Sequence, residues 1–229
     1  MAFHDSNADE MGARHYPLAD ARHRLIPASI YRRAGKRMLD LTLIILSLPV
    51  VLPFITVLVL MVALSGGRPF YSQQRIGRNG RSFRLWKLRT MVHDADTRLE
   101  ACLRADPAAR SEWNRTQKLK DDPRVTRIGA ALRKTSLDEL PQLWNVVKGD
   151  MSLIGPRPMM PCQRDLYPGK AYYGMRPGIT GPWQVSARNE SSFADRARFD
   201  AEYDRSLSLG TDLRLLFATL RVVINRTGY

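Results

Sequence analysis

The first 30 residues are polar, mixed in charge and without apolar periodicity, which predicts a flexible tail over 1–30. Acids scattered through it argue against a signal peptide. The pattern changes at Leu41: the 24 residues to Leu64 carry no charge and 19 are apolar, with only Thr42, Ser47, Pro49, Pro53 and Thr56 interrupting. At about 1.5 Å per residue such a helix would reach ~36 Å, against a hydrocarbon core of ~30 Å. Arg32, Arg33, Lys36 and Arg37 precede it, and Arg68, Arg75, Arg78, Arg81, Arg84, Lys87 and Arg89 follow, with no Asp or Glu from 41 to 93. Positive charge marks the cytoplasmic end of a span, and here both ends carry it. Pro49 and Pro53 each remove a backbone donor and favour a bend, and Ser47 is placed to bond a carbonyl that the bend frees. The expectation is a re-entrant membrane helix over 31–67, a helix-break-helix that enters and leaves on the cytoplasmic side. A proline-kinked single span is the alternative.

Beyond Gly66-Gly67 the period falls to two. Phe70, Ser72 and Gln74, then Phe83, Leu85 and Lys87, flank Asn79-Gly80, a pair suited to a type I′ turn, so a short basic β-hairpin is predicted. Residues 94–117 read as helix in two pieces broken at Asp106-Pro107; Val125–Leu132 fits a strand or a short helix. Residues 136–147 read as helix, 154–161 and 176–182 as loops rich in Gly or Pro, and 192–205 and 211–225 as helices. The last sets Leu213, Leu216, Phe217, Leu220, Val223 and Ile224 at helical spacing among Arg214, Arg221 and Arg226, a pattern that suits an interfacial amphipathic helix and a core helix equally. The fold class is α+β, mainly helical: a membrane helix, then a compact cytoplasmic catalytic domain over 68–229 with a short hairpin and interfacial helices.

Composition adds a direction. The chain of 229 residues has 36 Lys and Arg against 22 Asp and Glu, a net charge of +14, with a mean hydropathy of −0.30. The average hides the membrane segment, and the charge points to polyanions: nucleic acid, anionic lipid or phosphorylated substrates. Cys102 and Cys162, in no metal-ligand spacing, exclude a disulfide scaffold or zinc ribbon and suit a reducing compartment.

The candidate chemistry lies in LRKTSLDELPQLWNVVKGDMSLIGPRP, residues 132–158, around the adjacent carboxylates Asp138 and Glu139. Ser136 with Glu139 three residues on fits a capping box, with Asp138 in a helix's first turn; that bland explanation is the stronger one for the pair taken alone. The basic surroundings, Arg133, Lys134, Lys148 and Arg157, with Lys87, Arg89 and Arg176 from elsewhere, change the balance. An Asp can attack phosphorus when cations neutralise the phosphoryl oxygens, and Mg²⁺ is bound through one or two carboxylates and the phosphates themselves.

These stretches, with RIGRNGRSFRLWKLRTM, DDPRVTRIGAALRKTS and RPGITGPWQVSARN, resemble the monotopic bacterial phosphoglycosyl transferases, or bacterial sugar transferases, over nearly 190 residues from about Lys36-Arg37 and Asp40. The short length, without a four-helix membrane region, looks like the small catalytic-core type, with likeness to the galactosyl-phosphate transferases of rhizobial succinoglycan synthesis. The resemblance implies that Asp138 attacks a UDP-sugar, expels UMP and passes the sugar phosphate to undecaprenyl phosphate, with Glu139 assisting and Asp138 contacting Mg²⁺. It also implies that Lys87, Arg89, Arg133, Arg157, Arg176 and Asp200 contact substrate. The sugar is expected to be galactose, with glucose or an N-acetylated sugar as the alternative. The expected place is the cytoplasmic face of the bacterial inner membrane, among anionic lipids, without nucleic acid, with a homodimer as one assembly. The family more often has Ser directly before the bend proline, where this chain has Ser47-Leu48-Pro49, and Pro182 stands where another residue is common. A membrane-tethered nucleic-acid-binding protein and a non-catalytic assembly protein are the competing classes; no nucleic-acid-binding spacing supports the first.

Overall fold

A computed structural model describes residues 30–116, 119–186 and 193–224. The expected tail over 1–29 and the end of the RPGITGPWQVSARN stretch lie outside these. A π-helical turn, Tyr31–Gly35, leads into α1, Lys36–Leu64. Then come β1, Phe70–Ile76, and β2, Ser82–Leu88; α2, Ala95–Ala105; α3, Pro107–Thr116; and α4, Arg127–Thr135. A 3₁₀ turn, Leu137–Glu139, precedes α5, Gln142–Lys148. The remainder is β3, Ser152–Ile154; α6, Ala171–Gly174; β4, Gly178–Thr180; α7, Pro182–Ser186; α8, Arg196–Ser206; and α9, Leu209–Ile224.

Tyr31–Leu64 is a 34-residue helical run, long and apolar enough to cross a membrane. Ile45, Leu46, Val50, Leu52, Leu60 and Leu64 are exposed, so most of its apolar surface has no protein partner. Helical structure runs on through the expected break, with both prolines inside α1. In an α-helix Pro49 would have donated to the carbonyl of Ile45, yet Ser47 Oγ bonds that of Ile44 at 2.9 Å. The hydroxyl thus makes an ordinary back-bond one turn down and does not rescue the freed carbonyl.

The hairpin matches its local chemistry. Asn79 has φ 59° and ψ 23°, Gly80 has φ 74°, and the Arg81 amide donates to the carbonyl of Arg78. Both central residues are therefore in the left-handed region that a type I′ turn requires. The helical break at Asp106-Pro107 is also present, with Asp106 Oδ1 accepting from the Ala108 amide at 2.8 Å. The undecided stretch before Leu132 resolves mainly as helix, with an isolated bridge from Met91 to Val125 ahead of it.

Two expectations need correction. The stretches 154–161 and 176–182 are not wholly loops, because Ser152–Ile154 and Gly178–Thr180 pair in parallel, Ser152 opposite Gly178 and Ile154 opposite Thr180. Gly178 is obligatory there: a Cβ would lie 2.1 Å from the Gly155 amide nitrogen. Ser136 does not open a helix by a capping box. It closes α4 in the left-handed conformation, φ 57° and ψ 18°, and its side chain makes no capping bond.

The chain forms two compact units, in the described residues 30–43, 74–83 and 146–221 for one, and 44–73, 84–145 and from 222 for the other. In the first, Tyr31, Ile154, Met175, Tyr203, Leu207 and Leu215 form a core, and Ile76, Met159, Tyr167 and Tyr172 a second cluster. In the other, Leu58 and Val62 of α1 pack with Leu88 of β2 and Leu132 of α4. Helix α9 buries Leu215 and Ala218 but leaves Phe217 and Leu220 64% and 57% exposed. The helix is core on one side and apolar to solvent on another, so each of its two expected roles describes one face.

Candidate active site

The carboxylate pair is built by the unit containing 84–145. Strand β2 brings Lys87, whose Nζ lies 3.2 Å from Asp138 Oδ2 and 2.8 Å from Glu139 Oε1. Asn145 sets the strand's register: fully buried on α5, it accepts from the Trp86 amide at 3.1 Å and donates to the Arg84 carbonyl at 2.8 Å. Both bonds satisfy backbone groups of a two-stranded edge. The left-handed Ser136 then turns the chain between α4 and the 3₁₀ turn that presents Asp138.

Arg133 is positioned by α4. Thr126 caps this helix, accepting from the Gly129 amide at 2.9 Å, and Gly129 lies so close to Thr90 that a Cβ would come within 2.0 Å of the Thr90 carbonyl oxygen. One turn later Arg133 Nε donates to Thr90 Oγ1 at 2.9 Å. Burial holds this guanidinium below its ordinary value, opposed by the charge of Asp138.

Asp138 is 6% exposed. Burial raises its pKa; Lys87 pulls it down, the Glu139 charge pushes it up and Arg133 lowers it further. The result is a carboxylate stripped of water yet flanked by cations, the setting in which an oxygen nucleophile can approach a phosphate diester. A divalent cation suits the same donors. Oδ2 carries the Lys87 bond, Oδ1 carries no bond among the described residues, and Glu139 is the next residue. No group of three His, Cys, Asp or Glu placed to hold a metal ion occurs among the described residues, so this is a two-carboxylate set that fits a hard ion completed by phosphate oxygens.

The other expected site residues are placed elsewhere. Arg89 reaches the end of α1, its Nη2 lying 3.2 Å from both the Val62 carbonyl and Ser65 Oγ, and its Nη1 2.7 Å from His93 Nε2. A cation there satisfies terminal carbonyls and opposes the helix dipole. In the other unit, Arg176 Nε donates to the Gly149 carbonyl at 2.9 Å, and burial together with the charges of Arg78 and Arg37 lowers its basicity. Asp200 on α8 is buried, accepts from the Tyr167 hydroxyl at 2.8 Å and is pushed up to about 7 by burial. Arg157 lies in the loop after β3, half-buried.

Two functional-looking groups have no sequence precursor in the expectations above. Asn145 and Thr90, which place Lys87 and Arg133, sit inside apolar or basic stretches where only their polarity marks them. Asp212 is fully buried, accepting from Tyr203 and Tyr31 hydroxyls at 2.6 Å each and pairing with Lys36 at 2.8 Å.

The family model for bacterial sugar transferases matches residues 31–226. The chain belongs to the bacterial sugar transferases. Among its relatives, the UDP-galactose-lipid carrier transferase of Erwinia amylovora is 48% identical over 195 residues, 84% of this chain and 41% of the relative. The exopolysaccharide production protein ExoY of Sinorhizobium fredii is 45% identical over 199 residues, 85% of this chain and 88% of the relative. The undecaprenyl-phosphate galactose phosphotransferase of Salmonella typhimurium is 45% identical over 195 residues, 84% of this chain and 41% of the relative. This bacterial sugar transferase thus spans about two fifths of the length of the Erwinia and Salmonella proteins and most of that of the Sinorhizobium one.

Proposed function

We propose that this bacterial sugar transferase moves a sugar 1-phosphate from a UDP-sugar to undecaprenyl phosphate, releasing UMP, in the first membrane step of exopolysaccharide or related glycan synthesis. The observation that carries the proposal is the buried Asp138 beside Glu139, both held by Lys87. An Asp138 oxygen bonds to the sugar-bearing β-phosphorus while the bond from that phosphorus to the bridging oxygen breaks, and the electron pair leaves with UMP. A phosphate oxygen of the lipid then bonds to the same phosphorus, the acyl phosphate bond breaks, and the carboxylate is restored.

Lys87 and Arg133 hold positive charge beside the carboxylate during both halves. Glu139 orients the lipid phosphate or takes its proton, and Asp138 holds Mg²⁺, which when bound supplies charge neutralisation on the diphosphate. Arg157 and Arg176 are assigned to donor phosphate by their motif positions. Galactose is the preferred sugar because the Erwinia and Salmonella relatives carry galactose in their names. The exposed apolar surface of α1 supports a membrane anchor, the basic flanks at both of its ends favour a re-entrant course at the cytoplasmic face of the inner membrane, and Phe217 and Leu220 support an interfacial α9. A homodimer is compatible with this reading.

The test is UMP release from UDP-galactose in the presence of undecaprenyl phosphate and Mg²⁺, with UDP-glucose as comparator. Asp138→Asn is expected to lower release by at least about 10³-fold; a variant that keeps the rate overturns the nucleophile. Single cysteines at positions 30 and 68 should label from the same side of intact vesicles, and labelling from opposite sides would establish a span.

A further inference from the structure

Tyr71, on the first strand of the hairpin, stands at the edge of the carboxylate site. Strands β1 and β2 are neighbours in one sheet. The Arg89 amide donates to the Pro69 carbonyl at 2.8 Å, and at the turn end the Gly77 amide donates to the Arg81 carbonyl at 2.7 Å, two bonds that share one register. Two residues inward from Pro69 and from Arg89, Tyr71 and Lys87 therefore face each other. Side chains of such a pair leave the same face of the hairpin, with Cβ atoms roughly 5 Å apart. Lys87 spends its ammonium on Asp138 and Glu139. Tyr71 is 51% exposed, and its side chain has no hydrogen bond, ion pair or ring contact among the described residues.

The strand end beside this pair leads to an apolar surface. Gly66 and Gly67 have φ 93° and 85°, left-handed values that let the chain reverse directly after α1. Arg89, one alternation along β2 from Lys87, fixes that junction through the Val62 carbonyl and Ser65 Oγ. On the last turns of α1, Leu60, Met61 and Leu64 are exposed, and so is Phe70, the residue before Tyr71. Single exposed apolar groups are ordinary on any protein. Here they follow one another from the uncovered end of α1 to Tyr71, and the series stops at a lysine shared by two carboxylates. A ligand suited to both ends has a hydrocarbon chain and a phosphate head.

We propose that Tyr71 is a binding residue for the acceptor lipid, its ring lying against the isoprene unit next to the phosphate while Lys87 receives the phosphate itself. The identity of the lipid rests on the transferase reading. A tyrosine suits this place because its ring is apolar and its tip is polar, the combination enriched where hydrocarbon meets water. Two side-chain torsions define the ring, so little freedom is lost when a chain packs on it. The lysine ammonium has three donors on a flexible stem, enough to keep a carboxylate and take a phosphate oxygen together. A hexose can also stack on an aromatic face, but the apolar series from α1 favours the lipid.

The experiment is UMP release by the full chain in nanodiscs, with undecaprenyl phosphate and UDP-galactose varied in turn. Tyr71→Ala should raise the KM for undecaprenyl phosphate about tenfold and hold that for UDP-galactose within about twofold. Tyr71→Phe keeps the ring and should return the lipid KM toward the parent value; a KM that stays high overturns the ring contact. A rise confined to UDP-galactose assigns the ring to the sugar and overturns the lipid assignment, and two unchanged values overturn both. A second measurement needs no turnover: p-benzoylphenylalanine in place of Tyr71 is photolysed in discs holding labelled undecaprenyl phosphate and no nucleotide. Crosslinks should form on this lipid in preference to an equal amount of labelled phosphatidylglycerol. Equal labelling of the two would show a general bilayer contact and overturn the acceptor site. Selective crosslinking by a chain that releases no UMP from any UDP-sugar would uphold the lipid contact and refute the transferase reading.

Discussion

Asp138 and Asp212 are both buried acids next to a lysine, yet their surroundings differ in a way that separates chemistry from architecture. Asp212 receives two tyrosine hydroxyls and Lys36, and no part of its side chain is exposed. Each of its oxygens is engaged, and the set ties the π-helical turn at Tyr31 and the root of α1 to α8 and α9. Among the described residues Asp138 has one hydrogen-bonding partner, Lys87, shared with Glu139, and that lysine keeps 24% of its side chain exposed. A saturated acid has nothing left to give a substrate; an acid with a spare oxygen and a movable counter-charge does. Burial alone is therefore a poor marker of a reactive carboxylate, and the completeness of its hydrogen bonding is a better one.

That contrast can be broken by substitution. Asp212→Ala leaves Lys36 buried without its carboxylate and should cost about 3–5 kcal/mol of stability, read by chemical denaturation in detergent. If UMP release by the folded fraction also vanishes, the two acids are not separable as described. Lys87→Met should lower UMP release by about 10²-fold, the scale for losing one charge-stabilising donor. Because Lys87 lowers the Asp138 pKa, its loss should also move the acid limb of the pH–rate profile to higher pH; a limb that stays in place would mean that a different group controls ionisation.

Asp200 offers a third case, a buried acid with a tyrosine hydroxyl. Its folded-state value is raised, so the fold favours the protonated form. The associated stability is complete below the ordinary value near 4 and is lost as pH rises through about 7. Melting temperature should fall from pH 5 to 8 in the parent and fall less in Asp200→Asn. The smallest effect is expected at the support of Arg133: Thr126→Ala removes the cap of α4 and should cost about 1 kcal/mol, with the UMP-release rate of the folded enzyme nearly kept.

The sequence revealed best what depends on neighbours along the chain. Asn79-Gly80 and Asp106-Pro107 carry their own backbone restrictions, so the hairpin tip and the break between α2 and α3 were legible. Strands β3 and β4 are three residues each and pair across more than 20 residues of chain, too short for alternation to show. Ser136 satisfied a local capping pattern, but the end of α4 takes it into the left-handed region. Asp138 and Glu139 stood out by adjacency, basic context and family resemblance. Their partner Lys87 is 51 residues away from Asp138, and only the pairing of β2 with Asn145 brings it into place.

The four residues from Lys87 to Thr90 each answer to a different part of the same unit. Lys87 holds the carboxylates, Leu88 fills the core beneath α1, Arg89 closes the last turn of α1, and Thr90 holds Arg133. Neighbouring residues of a strand point to opposite sides. A one-residue insertion ahead of Lys87 would carry its ammonium to the place of Leu88 in the apolar core and away from Asp138. Anchor and chemistry are thus keyed to one register, and length changes in this segment should be tolerated far less than substitutions on its exposed side.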